Sequence, residues 1–366
     1  MSKRVQIAYI IADYKQFGGV QTLARNTARL FSGTSSNYSV NKIGWYYREI
    51  PLPVRAFVRF SPGKIGEYAY KKIIAPHFNK QSIARSDIYH FWTIDSSLPY
   101  SLEPFIVSVH GLEILPKNLR GFRRRAYEQA LQRAAAIHAN SSYTRKLILN
   151  TFPAVDSRKI HTINPSALRL RENVINNKAK DGKYTIGTLT RFVGRKNVPN
   201  VIKALTILSD QYGLDFTFHL VGDAGDRKEK RKIIKNLKKS GINYQYTGKV
   251  SESYKFKKFY PNLDVFVLPS LETRNDVEGF GIVFLEANAY GVPVVASRTG
   301  GIVDAVKDNV SGLFADPINP NDIAEKIFTI LTSKKNWRES SRSWAEGFSP
   351  EKTAEQFQVL YDQILK

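Results

Sequence analysis

The sequence predicts an α/β chain built from two parallel sheets, each flanked by helices, and three observations carry that expectation. Short β-rich apolar runs alternate with helix-patterned stretches along nearly the whole length. At 366 residues the chain is long enough for two domains, each with its own core. A polar stretch without periodicity, RLRENVINNKAKDGK at 169–183, separates two similar halves as a linker.

In the first half the strand runs are VQIAYII (5–11), VNKIGWYY (40–47), DIYHFW (87–92), FIVSVHG (105–111), AIHANS (136–141) and KIHTIN (159–164). Helices are expected between them at about 19–32, 119–135 and 142–150. The second half repeats the alternation with YTIGTLT (184–190), FTFHLVG (216–222), YQYTG (244–248), VFVLPS (265–270), VPVVAS (292–297) and GLFAD (312–316). Ala354, Phe357, Leu360, Tyr361 and Ile364 recur at helical spacing near the end. The expected organisation is a first domain over 1–168, the linker at 169–183, a second domain over 184–348 and a terminal helix over 349–366.

Charge is the outlying property of the composition. Lys and Arg number 55 against 32 Asp and Glu, a formal net charge of +23 that favours an anionic partner: membrane surface, nucleic acid or a phosphorylated substrate. Part of the excess is concentrated in LRGFRRRAYEQALQR (119–133) and DRKEKRKIIKNLKKS (226–240). Such runs are usually solvated helix faces, and the first also suits an anionic lipid surface. Cysteine is absent, which excludes disulfides and thiol nucleophiles. The apolar run Val5 to Ile11 is short and interrupted by Gln6, so it reads as a first strand and not a signal peptide. No stretch approaches the roughly 20 apolar residues of a membrane span. The expectation is a soluble cytoplasmic protein, with peripheral membrane contact as an option.

The residues with chemistry gather after the strand runs, where open α/β sheets bind nucleotides. EGFGIVFLE places Glu278 and Glu286 eight residues apart around a Gly-Phe-Gly turn that opens a helix. Gly279 and Gly281 let a ligand approach the backbone closely, and a helix start attracts phosphate. Eight residues of helix measure about 12 Å, too far for one small group but suited to a long, jointed ligand such as a nucleotide sugar. A glutamate in a first helical turn is also favoured by the helix dipole alone. Arg191 and Lys196 stand five residues apart in the loop after 184–190, a fork and a point charge suited to a pyrophosphate, with Arg195 as a substitute ligand. In so basic a chain, two loop cations are also unremarkable.

Gly18 and Gly19 form either a phosphate-tolerant turn or an ordinary one. His110, at the end of its strand with Glu113 close by to orient it, is either structural or catalytic. Gly222 and Asp223 make another strand-to-loop turn, and NSSYT (140–144) suits a helix cap. Neither H-E-x-x-H, D-x-D, a dinucleotide fingerprint nor a P-loop occurs, and the histidines lack metal-ligand spacing, so no metal is expected.

The run PSLETRNDVEGFGIVFLEANAYGVPVVASRTGG (269–301), with TRFVGRKN (190–197) and SVHG (108–111), closely resembles the signature of the retaining GT-B glycosyltransferases of the family four, or group 1, type. The resemblance covers essentially the whole chain and is strongest over 184–316. Two departures stand out: Asn197 replaces a usual glycine, and Pro165 and Ser166 stand where the family has Asn and Gly.

The resemblance implies two Rossmann-like domains with parallel sheets facing a cleft, and a terminal helix that packs back on the first domain. It implies metal-independent, retaining transfer from a nucleoside-diphosphate sugar, used as donor substrate without a separate cofactor, to a glycan or lipid-linked acceptor. By carry-over, Arg191 and Lys196 neutralise the leaving diphosphate, helped by the backbone at Gly279, Phe280, Gly281 and Ile282. Glu278 would hold donor-sugar hydroxyls and Glu286 the ribose hydroxyls, with Gly18, Gly19 and Gly222 shaping the donor loops. His110 would stabilise the developing positive sugar or orient its hydroxyls. Two other readings stand beside this one: a hydrolase using the acid pair directly, and a non-catalytic GT-B-fold protein binding anionic membrane or nucleic acid. No specific nucleic-acid recognition is expected of the transferase.

Overall fold

The structure, a computed structural model, describes residues 4–11, 19–31, 38–44, 86–98, 102–119, 121–166, 183–223 and 225–366. Gly18, Arg120, the aromatic run Trp45 to Tyr47 and all but the last residue of the expected linker lie outside them. The chain divides into two compact units, one of residues 1–165 with 350–366 and one of residues 166–349.

Both units have the α/β architecture the alternation predicts, and eleven of the twelve expected runs hold one strand each; the strand at 40–47 begins earlier, at Tyr38, and runs to Gly44, with residues 45–47 outside the described ones. In the first unit β1 (Val5–Ile11), β2 (Tyr38–Gly44), β3 (Ile88–Phe91), β4 (Phe105–Val109), β5 (Ala136–Ala139) and β6 (Ile160–Thr162) form a sheet in the order β2-β1-β3-β4-β5-β6. In the second, β7 (Tyr184–Leu189), β8 (Phe216–Val221), β9 (Tyr244–Thr247), β10 (Val265–Leu268), β11 (Val294–Ala296) and β12 (Gly312–Phe314) are ordered β12-β11-β10-β7-β8-β9. Every strand pairing is parallel.

The strands are continuous apolar runs because helices cover both faces, and the period of two sorts the residues between two cores. In β1, Ala8 and Ile10 enter one cluster with Tyr127, Leu131 and Ile148, while Ile7, Tyr9 and Ile11 enter another with Leu23, Ala28, Phe357 and Tyr361. In β10, Val265 and Val267 pack with Leu205, Ile233 and Ile327, and Phe266 and Leu268 with Phe284, Ala287 and Ile302. The second of the first-unit clusters joins the helix Gly19–Phe31 to the terminal helix Pro350–Leu365.

A chain of hydrogen bonds crosses that first-unit interior: Tyr9 Oη to Tyr361 Oη at 2.8 Å, Tyr361 Oη to His90 Nδ1 at 2.8 Å, His90 Nε2 to Ser108 Oγ at 2.8 Å, and Ser108 Oγ to His138 Nδ1 at 2.7 Å. It ends with His138 Nε2 donating to the Ile163 carbonyl at 2.8 Å. Because that carbonyl can only accept, one direction of donation satisfies every group in turn, with both imidazoles neutral. Burial holds His90 well below the ordinary histidine range and His138 at about 3, the other histidines pushing the same way. Among the described residues no helix is long and apolar enough to cross a membrane.

Candidate functional site

The strand order of the second sheet places the site. From β7 the chain runs outward through β8 and β9, then returns to β10 on the other side of β7. The loops after β7 and β10 therefore diverge at the point where the winding reverses, which is where open α/β sheets bind ligands. Those loops carry Arg191, Arg195 and Lys196 on one side and Asp276, Glu278 and the Gly-Phe-Gly turn on the other.

The β7 loop tightens into a single turn, Gly194–Lys196, before the helix Val198–Tyr212. Asn197 sits between them at φ 56°, in the left-handed region. Glycine or asparagine is what that conformation admits, so the departure from the family's glycine is conservative in backbone terms. Asn197 also donates from Nδ2 to the carbonyls of Pro269 at 3.0 Å and Pro317 at 2.6 Å. The Leu271 amide donates to the Arg195 carbonyl at 2.8 Å, so the two loops are bound together by backbone as well as side chain.

Glu278 lies among cations. Its Oε2 accepts from Arg195 Nη1 at 2.6 Å and from the Lys196 ammonium, while Arg195 Nε stands 2.9 Å from Asp276 Oδ1. Burial opposes ionisation of Glu278, but Lys196 and Arg195 override it and hold the carboxyl at about 2. Lys196 is pushed below the ordinary lysine range, first by burial and then by Arg195 and Arg191, with Glu278 opposing. Arg191 is exposed and has no carboxylate partner among the described residues. Arg195 and Lys196 thus face Glu278 and Asp276, and Arg191 adds a third positive charge near Lys196. Glu278 Oε1 has no hydrogen-bond partner among the described residues, and its side chain is 17% exposed.

The turn after Glu278 presents backbone. The Phe280 side chain is buried in the core beside Phe348, and Gly281, at φ 89°, opens the helix Ile282–Ala289. A Cβ at Gly281 would meet the Phe284 ring at 2.7 Å and come 3.5 Å from Glu278 Cγ, so the glycine and the acid are immediate neighbours. The amides of residues 279–283 donate to no acceptor among the described residues. Gly300, at φ 53°, fits against the Glu278 carbonyl where a side chain would collide, and Gly301 N donates to that carbonyl at 2.8 Å.

Glu286 has another setting. It is 3% exposed, and its Oε2 accepts from Tyr260 Oη at 2.6 Å. Lys255 Nζ reaches both oxygens, at 3.2 and 3.3 Å, and Glu252 at 3.0 Å. Burial raises the carboxyl above the ordinary range, with Lys255 and the Tyr260 hydrogen bond opposing. Lys255 begins a π-helical turn, Lys255–Phe259, a widened turn that is common at functional sites.

The remaining candidates fall elsewhere. Gly222, at φ 145°, lies where a Cβ would overlap the Thr190 carbonyl, so it lets the loops after β7 and β8 nest. Gly19 begins its helix. In the first unit, Glu113 Oε1 accepts from the His110 amide at 2.6 Å, and His110 Nε2 donates to the Trp92 carbonyl at 2.9 Å. Burial lowers the His110 pKa against the pull of Glu113. The neutral ring keeps Nδ1 as an acceptor. Asp276 and Lys255 went unmarked in the sequence. The available signals were an acid two residues before Glu278 and a lysine in the apolar pattern of SESYKFKKFY.

The sequence profile of the family Glycosyl transferases group 1 matches residues 171–346. An uncharacterised glycosyltransferase of Methanocaldococcus jannaschii is 27% identical over 268 residues, 71% of this chain and 69% of its own length. A GDP-mannose-dependent alpha-(1-6)-phosphatidylinositol monomannoside mannosyltransferase of Mycobacterium tuberculosis is 28% identical, but the match spans 53% of this chain and about half, 52%, of that relative. Among solved structures, Anabaena HepE, in complex with UDP and glucose, superposes with a TM-score of 0.74 at 16% identity over 98% of this chain and all of that one, a likeness of fold. Residues 171–346 thus match the group 1 glycosyl transferases in sequence, and the chain shares its GT-B fold with solved glycosyltransferases.

Proposed function

We propose that the chain transfers a sugar, with retention and without a metal, from a nucleoside-diphosphate sugar to a glycan or lipid-linked acceptor hydroxyl. The observation that carries this reading is the convergence, at the switch point of the second sheet, of cationic charge from Arg191, Arg195 and Lys196 with five amides and one carboxylate oxygen that have no partner among the described residues. A diphosphate meets the first two, and a sugar hydroxyl meets the third. Arg191 and Lys196 neutralise charge growing on the leaving diphosphate, where preorganised cations and amides act most strongly. Glu278, ionised at any ordinary pH, accepts from donor-sugar hydroxyls through Oε1. Glu286 receives the ribose hydroxyls, exchanging part of its hold on Lys255 for them. His110 stays a candidate on the family resemblance, as a neutral acceptor for a sugar hydroxyl.

Relatives that act on a phosphatidylinositol mannoside with GDP-mannose, and a fold neighbour holding UDP and glucose, support a nucleotide-sugar donor and a lipid-linked or glycan acceptor. The net charge of +23 suits an anionic membrane surface around such an acceptor, at a cytoplasmic face. A non-catalytic binder would have no use for an oriented acid among cations.

Thermal-shift screening against UDP, GDP and ADP with their common hexose conjugates tests the reading. One family of conjugates should stabilise the protein, with the corresponding nucleoside diphosphate released on turnover in the presence of EDTA and the product anomer matching the donor. Glu278→Gln should lower kcat by about 100-fold or more, the scale of one lost transition-state contact, while nucleoside diphosphate still stabilises the fold. Turnover equal to wild type would remove Glu278 from the mechanism, and a wild type without turnover on any conjugate would return the chain to the binding-protein reading.

A further inference from the structure

Arg195 is the site cation to which the proposed reaction gives no task. Its side chain is only 5% exposed, and its guanidinium is a planar fork of donors. It spans two carboxylates, Nη1 on Glu278 Oε2 at 2.6 Å and Nε beside Asp276 Oδ1 at 2.9 Å. Asp276 is itself fixed in a short turn, its amide and carbonyl exchanging hydrogen bonds with those of Thr273 at 3.2 and 2.9 Å. The segment from Leu271 to Glu278 is therefore tied to the Gly194–Lys196 turn at the Arg195 carbonyl, at Asp276 and at Glu278.

Both cations on Glu278 meet the same oxygen, Oε2. A diphosphate carries more charge than one carboxylate and draws the flexible ammonium of Lys196 toward itself. The planar guanidinium of Arg195 is ion-paired with Asp276, Nε standing 2.9 Å from Oδ1 without a hydrogen bond between them, and that charge contact keeps it where it is. We propose that Arg195, anchored by Asp276, is a positioning residue: it keeps Glu278 in place when Lys196 turns to the diphosphate, so that Oε1 remains directed at the donor sugar. This inference rests on the nucleotide-sugar reading above. It gives Arg195 and Asp276 a part in sugar recognition without contact with the ligand.

The experiment separates the diphosphate from the sugar. Calorimetry on the wild type with UDP, UDP-glucose, GDP and GDP-mannose first identifies the pair that binds. Arg195→Lys, which keeps a cation but loses the fork, and Asp276→Asn, which loses the anchor, are then titrated with that pair and assayed for donor kcat and KM. Both variants should bind the nucleoside diphosphate within about twofold of wild type but the nucleotide sugar about tenfold more weakly, the scale of one charge-assisted hydrogen bond. The donor KM should rise and kcat should fall, and Asp276→Glu, which retains the carboxylate, should recover most of the loss.

Equal weakening of both ligands would overturn the proposal, making Arg195 a diphosphate ligand. Unchanged sugar affinity in both variants would also overturn it, leaving a structural tie. If Arg195→Lys does not fold, Asp276→Asn and Asp276→Glu carry the test alone. A wild type that binds none of these four probes and no conjugate of the thermal-shift panel would overturn the nucleotide-sugar reading itself, before any variant is compared.

Discussion

Glu278 and Glu286 stand eight residues apart on one turn and helix, yet the protein treats them in opposite ways. Glu278 sits against Arg195 and Lys196, is held at about 2 and keeps one oxygen without a partner among the described residues. Glu286 lies deeper, with both oxygens engaged by Tyr260 and Lys255, and burial raises its pKa. Charge surplus decides the first and desolvation the second, because a buried carboxylate is stabilised only as far as its cations outweigh the lost water. On the proposed reading the pair divides labour: Glu278 accepts from a ligand with its remaining oxygen, and Glu286 gives up an internal contact to do so.

The contrast breaks most readily at Lys255, whose side chain is 13% exposed between Glu252 and Glu286. Lys255→Met leaves Glu286 buried without its cation and should cost about 3–5 kcal/mol in urea unfolding. Adding Glu286→Gln should recover part of that loss. A cost under about 1 kcal/mol would put the pair in the class of surface ion pairs and remove the contrast.

Acid sharpens the comparison. The folded pKa of Glu278, about 2, lies below its ordinary 4.5, so its contribution is complete above pH 4.5 and disappears as pH falls toward 2. That contribution is on the order of 3 kcal/mol, and Glu278→Gln should flatten the acid limb of stability by a comparable amount. Glu286, with a raised folded pKa, acts in the opposite sense: its contribution is complete at low pH and is lost as pH rises through that value. His138 of the first unit is lowered from 6.5 to about 3, so its contribution is complete above pH 6.5 and declines from there toward 3. Hydrogen exchange followed from pH 7 to pH 4 should thus lose protection at β4 and β5 before β7 and β10. Loss in the reverse order would show that the ionic cluster, and not the histidine chain, limits acid stability.

A smaller change tests the neutral chain itself. Tyr361→Phe removes the hydroxyl joining Tyr9 to His90, takes from the buried His90 Nδ1 its hydroxyl donor and should cost about 1–3 kcal/mol. Thermal unfolding of the variant at pH 7.5 measures it. A melting temperature equal to wild type would mean that packing of Phe357 and Leu360 alone holds the terminal helix.

The strands were legible because two-sided burial demands continuous apolar runs, and VQIAYII or VFVLPS satisfies little else at that length. The Gly-Phe-Gly turn was legible because positive φ at Gly281 and close packing around it restrict the residue type. Asp276 and Lys255 were not, since an acid or a lysine in a charged loop has the same appearance whether it is solvated or buried against a partner from another element. The basic helix shows the same blindness from the other side. Arg123 is committed to Asp95 and Tyr127, and Arg124 to the Thr151 carbonyl, which a count of charges cannot reveal.

By itself the sequence determined the period of its strands, the left-handed and tightly packed positions, the two-halved α/β design and the family signature, all of which depend on neighbours along the chain. The tertiary structure decided which cation meets which carboxylate, which oxygen is left over, and which acid is ionised. Those outcomes depend on distance and burial between β7, β10 and the helices beside them, and electrostatic energy varies with exactly these two quantities.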